Sequence, residues 1–105
     1  MRFLKNMFNP PYPRSEKQTV DQLIDELLKI GEAEDYLSEF PGGRFNRRCR
    51  HIRAREIGES LDQLGGFPLM DFVYDRVRRK LGAQLADHLD FAWFGVGHWT
   101  NTSEK

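Results

Sequence analysis

A chain of 105 residues with sixteen basic and sixteen acidic side chains, and a formal net charge of +0, is one domain's worth of polypeptide, able to bury a single core. No overall field draws it to nucleic acid or to an anionic membrane. The lone cysteine allows no internal disulfide and fits a reducing, cytoplasmic setting. No apolar run approaches the ~20 residues of a membrane span, and Met1-Arg2-Phe3-Leu4-Lys5-Asn6-Met7-Phe8 lacks the apolar block and cleavage site of a secretory leader.

Residues 1–14 read as an extended arm, because Asn9-Pro10-Pro11-Tyr12-Pro13 removes backbone donors and disfavours helix. Phe3, Leu4, Met7 and Phe8 are the groups with which such an arm would dock. The first helix is expected near 19–30. Ser15 with Gln18, or Thr19 with Gln22, has capping-box spacing, and Val20, Leu23, Ile24, Leu27 and Leu28 form its stripe. Gly31 is placed to end it. A shorter helical piece over 32–40 would turn Ala33, Tyr36, Leu37 and Phe40 inward before Pro41-Gly42-Gly43 stops it.

The second helix is expected at 46–64, capped by Asn46 and leaving through Gly65-Gly66. The third spans 68–81, opening at Pro68, with Leu69, Met70, Val73, Tyr74, Val77 and Leu81 inward. The fourth covers 83–94, with Leu85, Leu89, Ala92 and Trp93 inward, and Gly95 and Gly97 break it. Residues 100–105 form a polar tail. No segment alternates with the period of a strand. The expectation is an all-α fold: one domain over 15–99, a compact bundle of about four main helices, with an extended Pro-containing N-terminal arm.

Charge is unevenly placed. Residues 15–41 hold eight acids against two lysines, whereas 44–55 hold six arginines and no acid. In the second helix the stripe of Ala54, Ile57, Leu61 and Leu64 runs back onto Arg53 and Arg50, so an apolar seam turns cationic. A guanidinium that leaves water keeps its charge and must meet an anion, either an internal carboxylate or a ligand. Arg55 falls on the outer face. Arg44, Arg47, Arg48, Arg50 and Arg53 are the candidate anion-binding residues, with Phe45 able to stack on a base. Zero net charge weakens that reading. The Gly65-Gly66-Phe67-Pro68 turn fits an ordinary αα-hairpin better than a helix-turn-helix, whose recognition helix would open on polar residues.

No catalytic or metal site emerges. His51, His88 and His98 lie far apart, and Cys49-Arg50-His51 has no zinc spacing. Asp87, His88 and Asp90 read as a solvated face. Cys49, Ser38 and Ser60 lack an evident base, and no phosphate-cradling loop is present. No cofactor is implied.

The other informative stretch is Phe91-Ala92-Trp93-Phe94-Gly95-Val96-Gly97-His98-Trp99. Phe94 falls almost opposite Leu85 and Leu89, and Phe91 to one side. Two arrangements compete: a chain end wrapped on the body, or an exposed aromatic surface of Phe91, Phe94, His98 and Trp99. The sequence therefore points to a non-catalytic protein-interaction or homo-oligomeric module in the cytoplasm. The alternative is nucleic-acid or anionic-ligand binding through the cluster from Arg44 to Arg55.

Overall fold

The computed structural model describes residues 11–37 and 50–99. Among them every regular element is helical. A 3-10 turn, Arg14–Glu16, leads into α1 (Lys17–Glu32), followed by α2 (Arg50–Leu81) and α3 (Ala83–Trp93). The all-α reading holds, but there are three helices rather than four. The pieces expected at 46–64 and 68–81, described from residue 50 on, follow one another directly as the two halves of α2. The interruption between them is the single residue Gly66, at φ 72 and ψ −165, which leaves no connecting loop. Pro68 costs nothing there, because the first turn after the break has no carbonyl for its missing N–H.

The break reverses the chain. Arg53 grips Glu26, whereas Leu81 presses on Gly31. On a straight helix Arg53 and Leu81 would stand about 42 Å apart, yet their partners on α1 are separated by only about 8 Å. Only a run that doubles back at Gly66 satisfies both contacts. Gly66 is glycine because a side chain is strained at that φ. Gly65 is small for another reason: a Cβ there would strike the Pro11 carbonyl. Next to this contact Tyr12 packs edge-on against Phe72, with ring centroids 6.0 Å apart. Both α1 and α3 pack chiefly on α2.

The apolar spacing acts as expected over most of the core. Val20, Ile24, Leu27 and Ile30 of α1 meet Ala54, Ile57, Leu61, Leu69, Met70, Val73 and Val77 of α2. Each large aliphatic side chain so buried contributes roughly 1.5–3 kcal/mol. Leu23, Leu28, Leu64 and Leu81 are half-buried at its margin.

The ends of α1 depart from expectation. Neither capping box forms, since no side chain caps the first turn. The 3-10 turn serves instead, its Glu16 N–H donating to the Pro13 carbonyl at 2.9 Å. Gly31 does not end the helix but lies buried inside it. The left-handed residue is Glu34, at φ 59. Glu34 N–H donates to the Gly31 carbonyl and Asp35 N–H to the Ile30 carbonyl, which is the Schellman pattern. That reversal takes the place of the expected helix over 32–40 as far as residue 37; residues 38–40 lie outside the described residues. Tyr36 is buried, whereas Ala33 and Leu37 are exposed. Phe40 lies outside the described residues.

Tyr36 explains Gly31. Its ring lies across the last turn of α1 where a Cβ would collide with the hydroxyl, and the hydroxyl donates to the Leu27 carbonyl at 2.9 Å. A matching contact joins α3 to α2. The Trp93 indole lies over Gly58, where a Cβ would come within 2.7 Å of Nε1, and Nε1–H donates to the Ala54 carbonyl at 2.9 Å. In both, the carbonyl is four residues before the glycine and uses its second lone pair.

Candidate functional site

Of the arginine cluster, Arg50, Arg53 and Arg55 are described; Arg44, Arg47 and Arg48 lie outside the described residues. Arg53 turns towards α1, as a place beside the Ala54–Ile57 seam requires. Its Nε donates to Glu26 Oε2 at 2.6 Å and an Nη to Oε1 at 2.7 Å, and the other Nη reaches Glu56 at 3.3 Å. The two-pronged guanidinium bond holds the Glu26 carboxyl below the ordinary glutamate range, against a smaller opposing effect of burial. The same bond raises the pKa of Arg53 further. The anion that Arg53 meets is therefore internal. Arg53 is half-buried, and Arg50 is exposed.

Arg55 corrects an expectation. Instead of pointing outwards it spans to α3, one Nη donating to the carbonyls of Ala92 at 2.8 Å and Phe94 at 2.9 Å. These carbonyls end α3, where the helix leaves acceptors without intrahelical donors and a cation complements the dipole. One turn earlier, half-buried His51 donates from Nδ1 to the Tyr36 carbonyl at 3.0 Å; the hydrogen sits on Nδ1 because a carbonyl only accepts. The first two turns of α2 thus tie down the body of α1, the turn that follows it and the end of α3.

The aromatic end divides in two. Trp99 is only 1% exposed and belongs to the core rather than to a surface. Its ring centroid lies 5.3 Å from those of Phe67 and Tyr74 and 5.2 Å from that of Trp93. Its Nε1–H donates to Asp90 Oδ1 at 2.9 Å. Asp90, placed on a solvated face by the sequence reading, is 2% exposed. The missed signal is the step Ala86, Leu89, Asp90, Trp93, which is a helical inner stripe with one carboxylate in it. That carboxyl oxygen accepts the indole N–H, since a buried polar atom needs a hydrogen-bond partner. The turn is closed by Val96 N–H to the Trp93 carbonyl, Gly95 N–H to the Trp99 carbonyl and Trp99 N–H to the Val96 carbonyl.

The other half faces solvent. Phe91 is 58% exposed and Phe94 53%, and His98 is exposed beside them in sequence. Ile52, which the sequence reading did not single out, is 46% exposed; on a helical wheel it stands opposite Ala54, Ile57 and Leu61, where an isoleucine is out of place.

Among the described residues no group of three His, Cys, Asp or Glu side chains is arranged to hold a metal ion. No described helix is long and apolar enough to cross a membrane. No protein family, curated protein or solved structure matches this chain.

Proposed function

We propose that the protein is a non-catalytic interaction module whose contact surface is the outer side of the end of α3. One observation carries the reading. Phe91 and Phe94 are each more than half exposed, on a helix end that Arg55 and the 94–99 turn hold in place. Aromatic rings on a rigid support are rich in contact energy and lose little freedom when covered. The sequence had a way to bury aromatics here, since Trp93 and Trp99 in the same stretch are buried.

The competing assignment is anion binding through the arginines from Arg44 to Arg55. Two described members, Arg53 and Arg55, already hold internal partners, which supports the interaction reading over it. Retention on heparin tests the choice, because each phosphate-like contact steepens the salt dependence. The interaction reading expects elution near or below physiological salt. Retention well beyond about 200 mM salt, lost on reversing Arg50, would move the assignment to the arginines.

A further inference from the structure

We infer that one side of the second half of α2, from Phe72 to Lys80, binds single-stranded nucleic acid. This surface is separate from the end of α3 and does not depend on it. Phe91 and Phe94 lie at the close of a helix of 11 residues, so about 16 Å of helix separates that end from its start at Ala83.

Four cations, Arg76, Arg78, Arg79 and Lys80, stand within five consecutive positions. None forms an ion pair with a described carboxylate, whereas Lys17 is paired with Asp21, and Arg53 with Glu26 and Glu56. Arg79 donates to the Asp75 backbone carbonyl at 3.4 Å, and Arg76 lies over the Phe72 ring at 5.9 Å. Both keep their charge for an outside anion.

Helical spacing sorts the four. Phe72, Arg76, Arg79 and Lys80 fall within an arc of about 100°, and Arg78 stands about 100° beyond its nearer edge. Measured contacts join one end of the strip. Tyr12 meets Phe72 edge-on, with centroids 6.0 Å apart, and Arg76 covers the same ring. Tyr12, Phe72 and Arg76 are half-buried, while Arg79 and Lys80 are exposed, so ring surface and charge reach solvent side by side. From Phe72 to Lys80 the strip runs about 12 Å, the length of three to four nucleotides at duplex spacing.

Cations in the last turn of a helix complement its dipole, a role open to Arg78, Arg79 and Lys80. It does not account for Arg76, a turn further back, or for the two half-open rings beside it. The rings and the planar guanidinium decide the class of anion. A nucleobase has a face to stack on them, which an acidic peptide lacks, and an unpaired strand presents that face. Three phosphate contacts are few, so binding belongs to low salt.

Fluorescence anisotropy of a labelled strand of about 12 thymidines, titrated with the full chain, tests this. Binding should weaken about a hundredfold for a tenfold rise in salt, as three contacts to a single strand require. Arg79→Glu should weaken binding at least tenfold with unchanged helical circular dichroism. Arg78→Glu makes the same charge change off the strip and should have less than a third of that effect. Phe72→Leu should weaken binding at least threefold and leave the salt slope as it was. No binding at about 20 mM salt overturns the inference, and equal effects of Arg78→Glu and Arg79→Glu overturn the strip. Polyglutamate that competes as well as the oligonucleotide, charge for charge, would reassign the surface to acidic proteins.

Discussion

The two junctions of α2, with α1 on one side and α3 on the other, use one packing device and two kinds of polar tether. At each, an aromatic ring lies on a helical glycine and donates to the carbonyl four residues back: Tyr36 on Gly31 to Leu27, and Trp93 on Gly58 to Ala54. At each, an arginine of α2 crosses to the neighbour. Arg53 ends on a carboxylate, Glu26, whereas Arg55 ends on the backbone carbonyls of Ala92 and Phe94. A carboxylate can be protonated and screened; a backbone carbonyl cannot be protonated at ordinary pH. The difference makes one junction sensitive to solution conditions and the other indifferent to them.

The largest expected effect tests the shared device. Gly58→Ala pushes a Cβ into the buried Trp93 indole, whose ring cannot move without losing its bond to Ala54. The cost should be about 3 kcal/mol, after allowing for the better helix propensity of alanine. Gly31→Ala should cost a similar amount, about 2–3 kcal/mol, because the Cβ meets the hydroxyl of buried Tyr36, which cannot move without losing its bond to Leu27; only the contact with half-buried Leu81 can turn aside. Urea denaturation of both variants measures the costs. A variant as stable as wild type would show that the ring does not rest on that glycine.

The tethers come next. Arg55→Ala removes a charged donor from two helix-terminal carbonyls and should cost about 1–2 kcal/mol. Arg53→Ala should cost about 0.5–1 kcal/mol, because its side chain and that of Glu26 are 32% and 43% exposed and solvent screens the pair. The sequence alone suggested the reverse order, from an internal Arg53 and an outward Arg55. Thermal denaturation at low salt and in 0.5 M NaCl sharpens the test: the Arg53 increment should shrink with salt, and the Arg55 increment should persist.

Acid should separate the junctions in the same way. The folded state lowers the Glu26 pKa below its ordinary 4.5, so between the two values the unfolded chain binds more protons. The Glu26 contribution is therefore complete above pH 4.5 and disappears as pH falls through the lowered value. Wild type and Glu26→Gln should differ in melting temperature near neutrality and converge in acid. A gap that survives in strong acid would rule out the carboxylate as its source. The smallest effect is a gain: Glu34→Gly relieves a left-handed residue at φ 59 and should stabilise the α1 terminus by about 0.5–1 kcal/mol, less the entropy that glycine adds to the unfolded chain.

The helices were legible because apolar residues recur at helical spacing over most of their length. Val20 to Ile30 and Ala54 to Val77 are buried much as the spacing predicts. Legibility failed where one residue's role depends on a partner distant in sequence. Gly31 and Gly58 look like a stop and a weak point until Tyr36 and Trp93 are placed on them. Asp90 looks solvated until Trp99 is folded back onto it. Arg55 looks outward because its acceptors are carbonyls, which no residue identity announces. The division of the aromatic end was half legible: the helical wheel puts Phe94 outside, but the burial of Trp99 needs the turn closed through Val96. The exposure of Ile52 was readable from the α2 wheel in the same way.

The tryptophan pair has a spectroscopic consequence. Trp93 and Trp99 are the chain's two indoles, both buried, nearly perpendicular at 84°, with centroids 5.2 Å apart. Chromophores so close and so oriented couple their transitions, which produces paired bands of opposite sign in the ultraviolet circular dichroism. Trp93 is fixed on α2 by its own bond to Ala54, whereas Trp99 is carried by the last described turn. Peeling that turn away would erase the coupling while Trp93 stays on Gly58 and the helical signal stays intact. The molecule therefore carries a label-free gauge of its own C-terminal turn, readable separately from unfolding of the helices.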